Sequence, residues 1–178
     1  LRLAVVGGAP LDGPRHMWWN FVHSDASRIL QASGNLNEKR GGPGIKPRLR
    51  ADLLPTSQRN KWPLLKNEGP EQWRRSVYIY QKRQLLMPML ELFDAPTTTD
   101  SCAARLESTV PTQALVLMND EFVEEQAGYL ARRAVAEAGD ETAGAVERMF
   151  LLTLSKKPSP EKMKQSLEFL SARCATHG

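Results

Sequence analysis

Beyond Thr109 the apolar positions of this chain fall at helical spacing. Val123, Ala127, Leu130 and Ala134 stand at i, i+4, i+7 and i+11, which predicts one buried helix face. Val146, Met149, Phe150 and Thr153 predict the inward side of a second helix, with Asp140 placed to cap it and Lys156-Lys157-Pro158 to end it. Ser159-Pro160-Glu161 is a start signal, and Met163, Leu167, Leu170 and Cys174 mark the stripe of a third helix. Pro111 also suits a first turn, where its missing N–H needs no partner. The last seventy residues therefore read as a small helical bundle.

Upstream the period is different. LRLAVVGGAPL and MWWNFV, on either side of DGPRH, predict a pair of β-strands within residues 1–24. DASRILQAS predicts a short helix capped by Asp25. Residues 34–72 alternate Gly34, Gly41, Gly42, Gly44 and Gly69 with Pro43, Pro47, Pro55, Pro63 and Pro70, which excludes a long regular element. A loop region of that length serves a function or lies over a partner surface. SVYIY, Ser76 to Tyr80, predicts a short strand with Val77 and Ile79 on one face and Tyr78 and Tyr80 on the other. LLMPMLELF predicts a short helix interrupted at Pro88. The expected fold class is mainly α: a C-terminal helical bundle, a β element at 76–80, a Gly/Pro-rich loop region and an N-terminal strand pair.

Composition narrows the class. With 178 residues, 41% hydrophobic and 25% charged, the chain suits one ordinary domain with a real core and not a disordered polymer. No apolar run approaches the ~20 residues of a membrane-spanning helix. Leu1 rather than Met opens the chain, which points to a fragment and hides any signal peptide. The net charge of +4 is segregated: residues 39–83 carry twelve basic and three acidic side chains, and residues 84–178 nine basic and fourteen acidic.

The candidate chemistry follows from that pattern. Arg74, Arg75, Lys82 and Arg83 surround the tyrosines Tyr78 and Tyr80, with Trp62 and Trp73 nearby in sequence. Basic groups interleaved with aromatics suit a polyanion, an anionic polysaccharide or, as an alternative, nucleic acid bound through residues 39–83. A solvated basic face, or arginines paired with the acidic C-terminal helices, is the competing reading. Asn119-Asp120-Glu121 reads as helix punctuation: Asn119 or Asp120 as cap, Glu121, Glu124 and Glu125 in the first turns, Arg132 and Arg133 towards the far end. Asp94 and Arg105 flank the FDAP…SCAAR loop, as a structural ion pair or as an acid held by a guanidinium. No G-x-S-x-G elbow occurs, and GGPG lacks the Lys-Ser/Thr of a phosphate loop. Cys102 and Cys174 form no C-x-x-C pair, and His16 and His23, seven apart, have no ligand spacing, so neither metal nor cofactor is expected.

Two family resemblances are carried by particular residues. Arg74-Arg75-Ser76-Val77-Tyr78, Lys82-Arg83, Phe93-Asp94-Ala95-Pro96, Ser101-Cys102, Arg105, Gln113-Ala114-Leu115 and Leu117-Met118-Asn119-Asp120, with SGNLNEKRGGPG upstream and RMFLLTLSKKPSPEKM downstream, resemble a C-terminal domain of unknown function from planctomycete surface proteins. The likeness runs from about Ile29 to about Leu170. It implies an extracytoplasmic setting, neighbouring domains that include cytochrome c-like ones, and structural roles for Asp94, Arg105, Gln113, Asn119 and Asp120. VVGGAPLDGPRHMWWNFVHS is instead similar to a late segment of pirin, a bicupin iron protein whose metal ligands lie in its other cupin. The chain thus reads as composite: 1–28 an incomplete pirin-like β segment, and 29–178 a partial surface-protein domain, loop-rich over 29–75, strand and loop over 76–107, helical over 108–178. The function expected is that of a non-catalytic accessory or interaction module. The alternative is a hydrolytic enzyme domain acting on polysaccharide.

Overall fold

A computed structural model describes residues 26–50, 54, 62–82, 85, 87–95, 110–139 and 141–177. It is mainly helical. In chain order the described elements are α1 (Ala26–Ser33), a 3-10 turn (Ser76–Tyr78), α2 (Pro88–Leu92), α3 (Pro111–Asn119), α4 (Glu121–Ala138), α5 (Thr142–Leu154) and α6 (Pro160–His177). The chain divides into two compact units, one holding Ala32–Gly34 and the residues from Met118 onward, the other the remaining described residues up to Leu117.

In the helical unit α5 packs against both α4 and α6. The expected stripes meet there: Ala134, Val146, Met149 and Phe150 are buried together, with Leu130, Leu154, Met163, Leu167 and Leu170 packed around them. Thr153 is half-buried and returns its hydroxyl to the Met149 carbonyl at 2.7 Å, one turn back. α4 starts as expected, because Asp120 Oδ1 accepts the N–H groups of Phe122 at 2.9 Å and Val123 at 3.2 Å. The residue preceding α5 is Glu141, whose side chain makes no capping bond, and Asp140 lies outside the described residues. α5 stops at Ser155, which turns left-handed at φ 52°.

Cys174 does not join the stripe; it is exposed, a free thiol. The reason is length. α5 has 13 residues and α6 has 18, about 20 Å against about 27 Å at 1.5 Å per residue. Past Leu170 the described residues of α6 up to Ala175 are exposed on every side.

The other unit is organised around loops. Gly34 ends α1 with φ 84°, which lets the Asn35 N–H reach back to the Leu30 carbonyl at 2.9 Å. Residues 34–72 hold no helix or strand where described, yet they are not without a core. Leu49, Leu54, Trp62 and Leu85 are buried together with Met87 packed against them, and the Trp62 indole N–H donates to the Pro47 carbonyl at 2.9 Å. Pro88 begins α2 and does not interrupt a helix: Met87 before it is extended, as a residue preceding proline prefers, and the proline ring supplies the first helical φ.

The strand expected at 76–80 is a different element. Tyr78 N–H donates to Arg75 at 2.9 Å and Ile79 N–H to Ser76 at 3.0 Å, the i to i+3 bonds of a 3-10 turn. Among the described residues one parallel bridge, Ile45 to Ile79, follows. Among the described residues no strand lies on either side of SVYIY, so its β-favouring composition finds no ladder there. The strand pair expected within 1–24, the Asp25 cap and the two histidines discussed above fall outside the described residues.

Two substitutions test this account of the helical unit. Phe150→Ala removes a fully packed aromatic and lowers unfolding stability by about 3–5 kcal/mol. Asp120→Ala removes a cap and costs about 1 kcal/mol. Urea denaturation followed by helical circular dichroism reads both.

Candidate functional site

The most tightly organised polar feature is built on Arg74. The residue is 4% exposed. Its Nη2 donates to the carbonyl of Lys39 at 2.9 Å and to that of Gly41, and its Nη1 donates to Pro43 at 3.3 Å. The guanidinium lies over the Tyr78 ring, 3.8 Å from its centroid. The Tyr78 hydroxyl in turn accepts the Gly41 N–H at 3.0 Å. One planar cation therefore holds three loop carbonyls while stacking on an aromatic face, a combination that only arginine offers.

The sequence permits this locally in two ways. Gly41 and Gly42 have φ of 73° and 88°, a conformation costly for side chains with a Cβ. Asn37 fixes the loop's base: its N–H donates to Trp73 at 2.7 Å, its amide donates to Pro70 at 2.8 Å, and its Oδ1 accepts Lys39 N–H at 3.0 Å. Residues 38–44 between these fastenings are all exposed. The result is an exposed rim with a fixed backbone.

The sequence-predicted site residues are only partly brought together. Arg74 faces loop carbonyls, neither solvent nor a carboxylate, and Tyr78 serves as its stacking surface. Trp62 and Trp73 are buried. Arg75 is exposed at the head of the 3-10 turn, and Tyr80 is exposed with the Lys46 ammonium 5.4 Å from its ring centroid. Lys82 is half-buried at a bridge to Leu85. Arg83, Arg105 and Cys102 lie outside the described residues.

The residues expected to be structural have concrete positions. Asp94 adopts φ 59° after α2; its N–H bonds Glu91 at 3.1 Å and the next N–H, of Ala95, bonds Leu90 at 2.9 Å. That pair of bonds closes a helix with a left-handed residue, a place aspartate tolerates better than most. Gln113, 2% exposed, donates from Nε2 to the Leu92 carbonyl at 3.0 Å and accepts the Val110 N–H at 3.3 Å, tying α3 to the end of α2. Asn119 is exposed as the last residue of α3, and Asp120 caps α4.

The helical unit has its own arginine fastening. Arg133 Nη1 donates to the Ala32 carbonyl at 3.1 Å while Nε donates to Glu137 Oε1 at 2.7 Å; Arg148 Nε donates to the other oxygen of Glu137. Beside them Ser33 Oγ donates to the buried Gln126 at 2.8 Å. The hydrogen bonds from Arg133 and then Arg148 hold the Glu137 carboxyl below its ordinary value of 4.5.

A mainly helical module whose polar residues fasten loops and helix ends is the class these features define. The family described as "Protein of unknown function (DUF1553)", PSD1, matches residues 25–170, and the chain belongs to that family. Residues 1–42 are also similar to the pirin C-terminal cupin domain, so the two matches overlap and the composite character is real. No curated protein and no solved structure matches the chain. Among the described residues there is no group of three or more His, Cys, Asp or Glu placed to hold a metal ion, and no helix long and apolar enough to cross a membrane.

Two outcomes are expected from this geometry. Arg74→Met costs about 2–3 kcal/mol, the scale of hydrogen bonds to a charged group, and opens residues 39–44 to limited proteolysis; Arg74→Lys does not restore protection, because an ammonium has no planar fork. Glu137, with its pKa depressed in the folded state, contributes stability above its unfolded value that is lost as pH falls through the folded one. Thermal melts on the acid side of neutrality therefore fall less steeply for Glu137→Gln than for the parent chain.

Proposed function

We propose that this chain is a non-catalytic interaction module of a larger, extracytoplasmic surface protein of the planctomycete type. It docks other domains of that protein, a cytochrome c-like domain among them. The supporting observation is the Arg74 clamp, which holds residues 38–44 as an exposed rim of fixed shape. A rim ordered in advance binds without a large ordering cost. Of the acidic residues that a hydrolytic reading would draw on, Asp120 spends its carboxylate on two backbone N–H groups, and the backbone of Asp94 closes α2.

The test has two arms. Titrated with separately expressed domains of the parent protein, the chain binds one of them, and Arg40→Glu on the rim weakens that binding at least tenfold while leaving circular dichroism unchanged. Incubated with acidic and neutral polysaccharides, it releases no reducing ends. Binding indifferent to the rim, or turnover of a polysaccharide, overturns the reading.

A further inference from the structure

A second feature of the loop-rich unit borders the rim. Ser27, Arg28 and Gln31 from α1, Leu36 and Glu38 from the segment after it, and Arg75 from the head of the 3-10 turn line one depression of about 240 Å3. Arg28, Glu38 and Arg75 are exposed. Charged groups of both signs that share a small concavity ordinarily pair with one another. Here, among the described residues, neither guanidinium and not the Glu38 carboxylate enters a salt bridge or a side-chain hydrogen bond. Three separate stretches of backbone hold them apart, and two of those stretches are fixed: Trp73 and Arg74, just before Arg75, are bonded to Asn37 and the loop carbonyls, while Asn35 and Leu36 N–H groups both reach Leu30, at 2.9 and 3.1 Å.

We infer that this depression binds one acidic sugar unit of a polysaccharide, a uronate or a sulfated hexose. The two arginines, Glu38 and Leu36 each have a complement on such a ring. The carboxylate or sulfate lies between Arg28 and Arg75, whose planar forks match a two-oxygen acceptor. The ring hydroxyls donate to Glu38, whose ionised carboxylate only accepts. Leu36 meets the ring's C–H face. The volume is below the roughly 300–1,000 Å3 of sites for drug-sized ligands, which suits a single ring with the rest of a chain running outward. An acidic peptide meets the arginines equally well, but its ionised side chains are acceptors only and offer Glu38 no donor. The inference builds on the reading of the chain as a binding module, and names a second ligand class for it.

The experiment is calorimetric titration of the full chain with four probes of matched length: a tetrauronate, a sulfated tetrasaccharide, a neutral tetrasaccharide and tetraglutamate. At least one of the acidic saccharides binds ten or more times tighter than the neutral one and tighter than tetraglutamate; which of the two does so identifies the anion. Arg28→Gln combined with Arg75→Gln lowers that affinity at least tenfold, whereas Lys66→Gln, an exposed lysine of the same unit outside the depression, leaves it within twofold. Circular dichroism of the double variant is that of the parent, since both arginines are exposed. Equal binding of the neutral sugar, an unaffected double variant, a loss shared by Lys66→Gln, or tetraglutamate binding as tightly as the sugars each overturns the site. Cleavage of a bound saccharide would instead overturn the non-catalytic reading and leave the site standing.

Discussion

A single buried guanidinium determines whether the loop-rich unit has a defined shape. Removing a cation from water is expensive, and a carboxylate is the usual compensation. Arg74 is compensated otherwise, by the carbonyl dipoles of Lys39, Gly41 and Pro43 and by the face of Tyr78. That arrangement couples three separate pieces of backbone: the RGGPG segment, the Asn37 bridge and the 3-10 turn. A chain of glycines and prolines has little local preference of its own, so its order must come from such distant contacts. The buried group of Leu49, Leu54, Trp62 and Leu85 supplies the apolar part of the same order.

The helical unit repeats the principle with different parts. Arg133 reaches the Ala32 carbonyl and Glu137 together, and Ser33 meets Gln126. In each unit, then, an arginine late in sequence grips the main chain of a segment near residues 32–43. Most of that segment lies in the overlap between the DUF1553 and pirin matches, residues 25–42. The bonds that Arg133 gives to Ala32 and Arg74 gives to Lys39 and Gly41 come from positions matched only by DUF1553.

What the sequence made legible was whatever is local and periodic. The α4, α5 and α6 faces, the Asp120 cap and the Ser159-Pro160 start each leave a signature within a few residues. Less local features were hidden. Pro88 reads as a breaker unless Met87 is known to be extended, and SVYIY reads as a strand unless its lack of neighbouring strands is known. Charge segregation groups Arg74 with Arg75 on a surface, yet the two adjacent residues have opposite fates, one buried and one exposed. Contacts across more than thirty positions, as between Arg74 and Lys39, have no spacing that could announce them. The depression between α1, Glu38 and Arg75 was invisible for the same reason.

α6 outruns α5, and the DUF1553 match stops at residue 170, the position of the last side chain that α6 turns into the bundle. The boundary of resemblance and the boundary of packing coincide. Beyond it Ser171 Oγ donates back to the Glu168 carbonyl at 2.8 Å and Arg173 lies over the Phe169 ring, contacts made within α6 itself. A fluorophore, an epitope or another domain joined to those final turns would ride on the bundle as on a short mast, without disturbing what lies beneath.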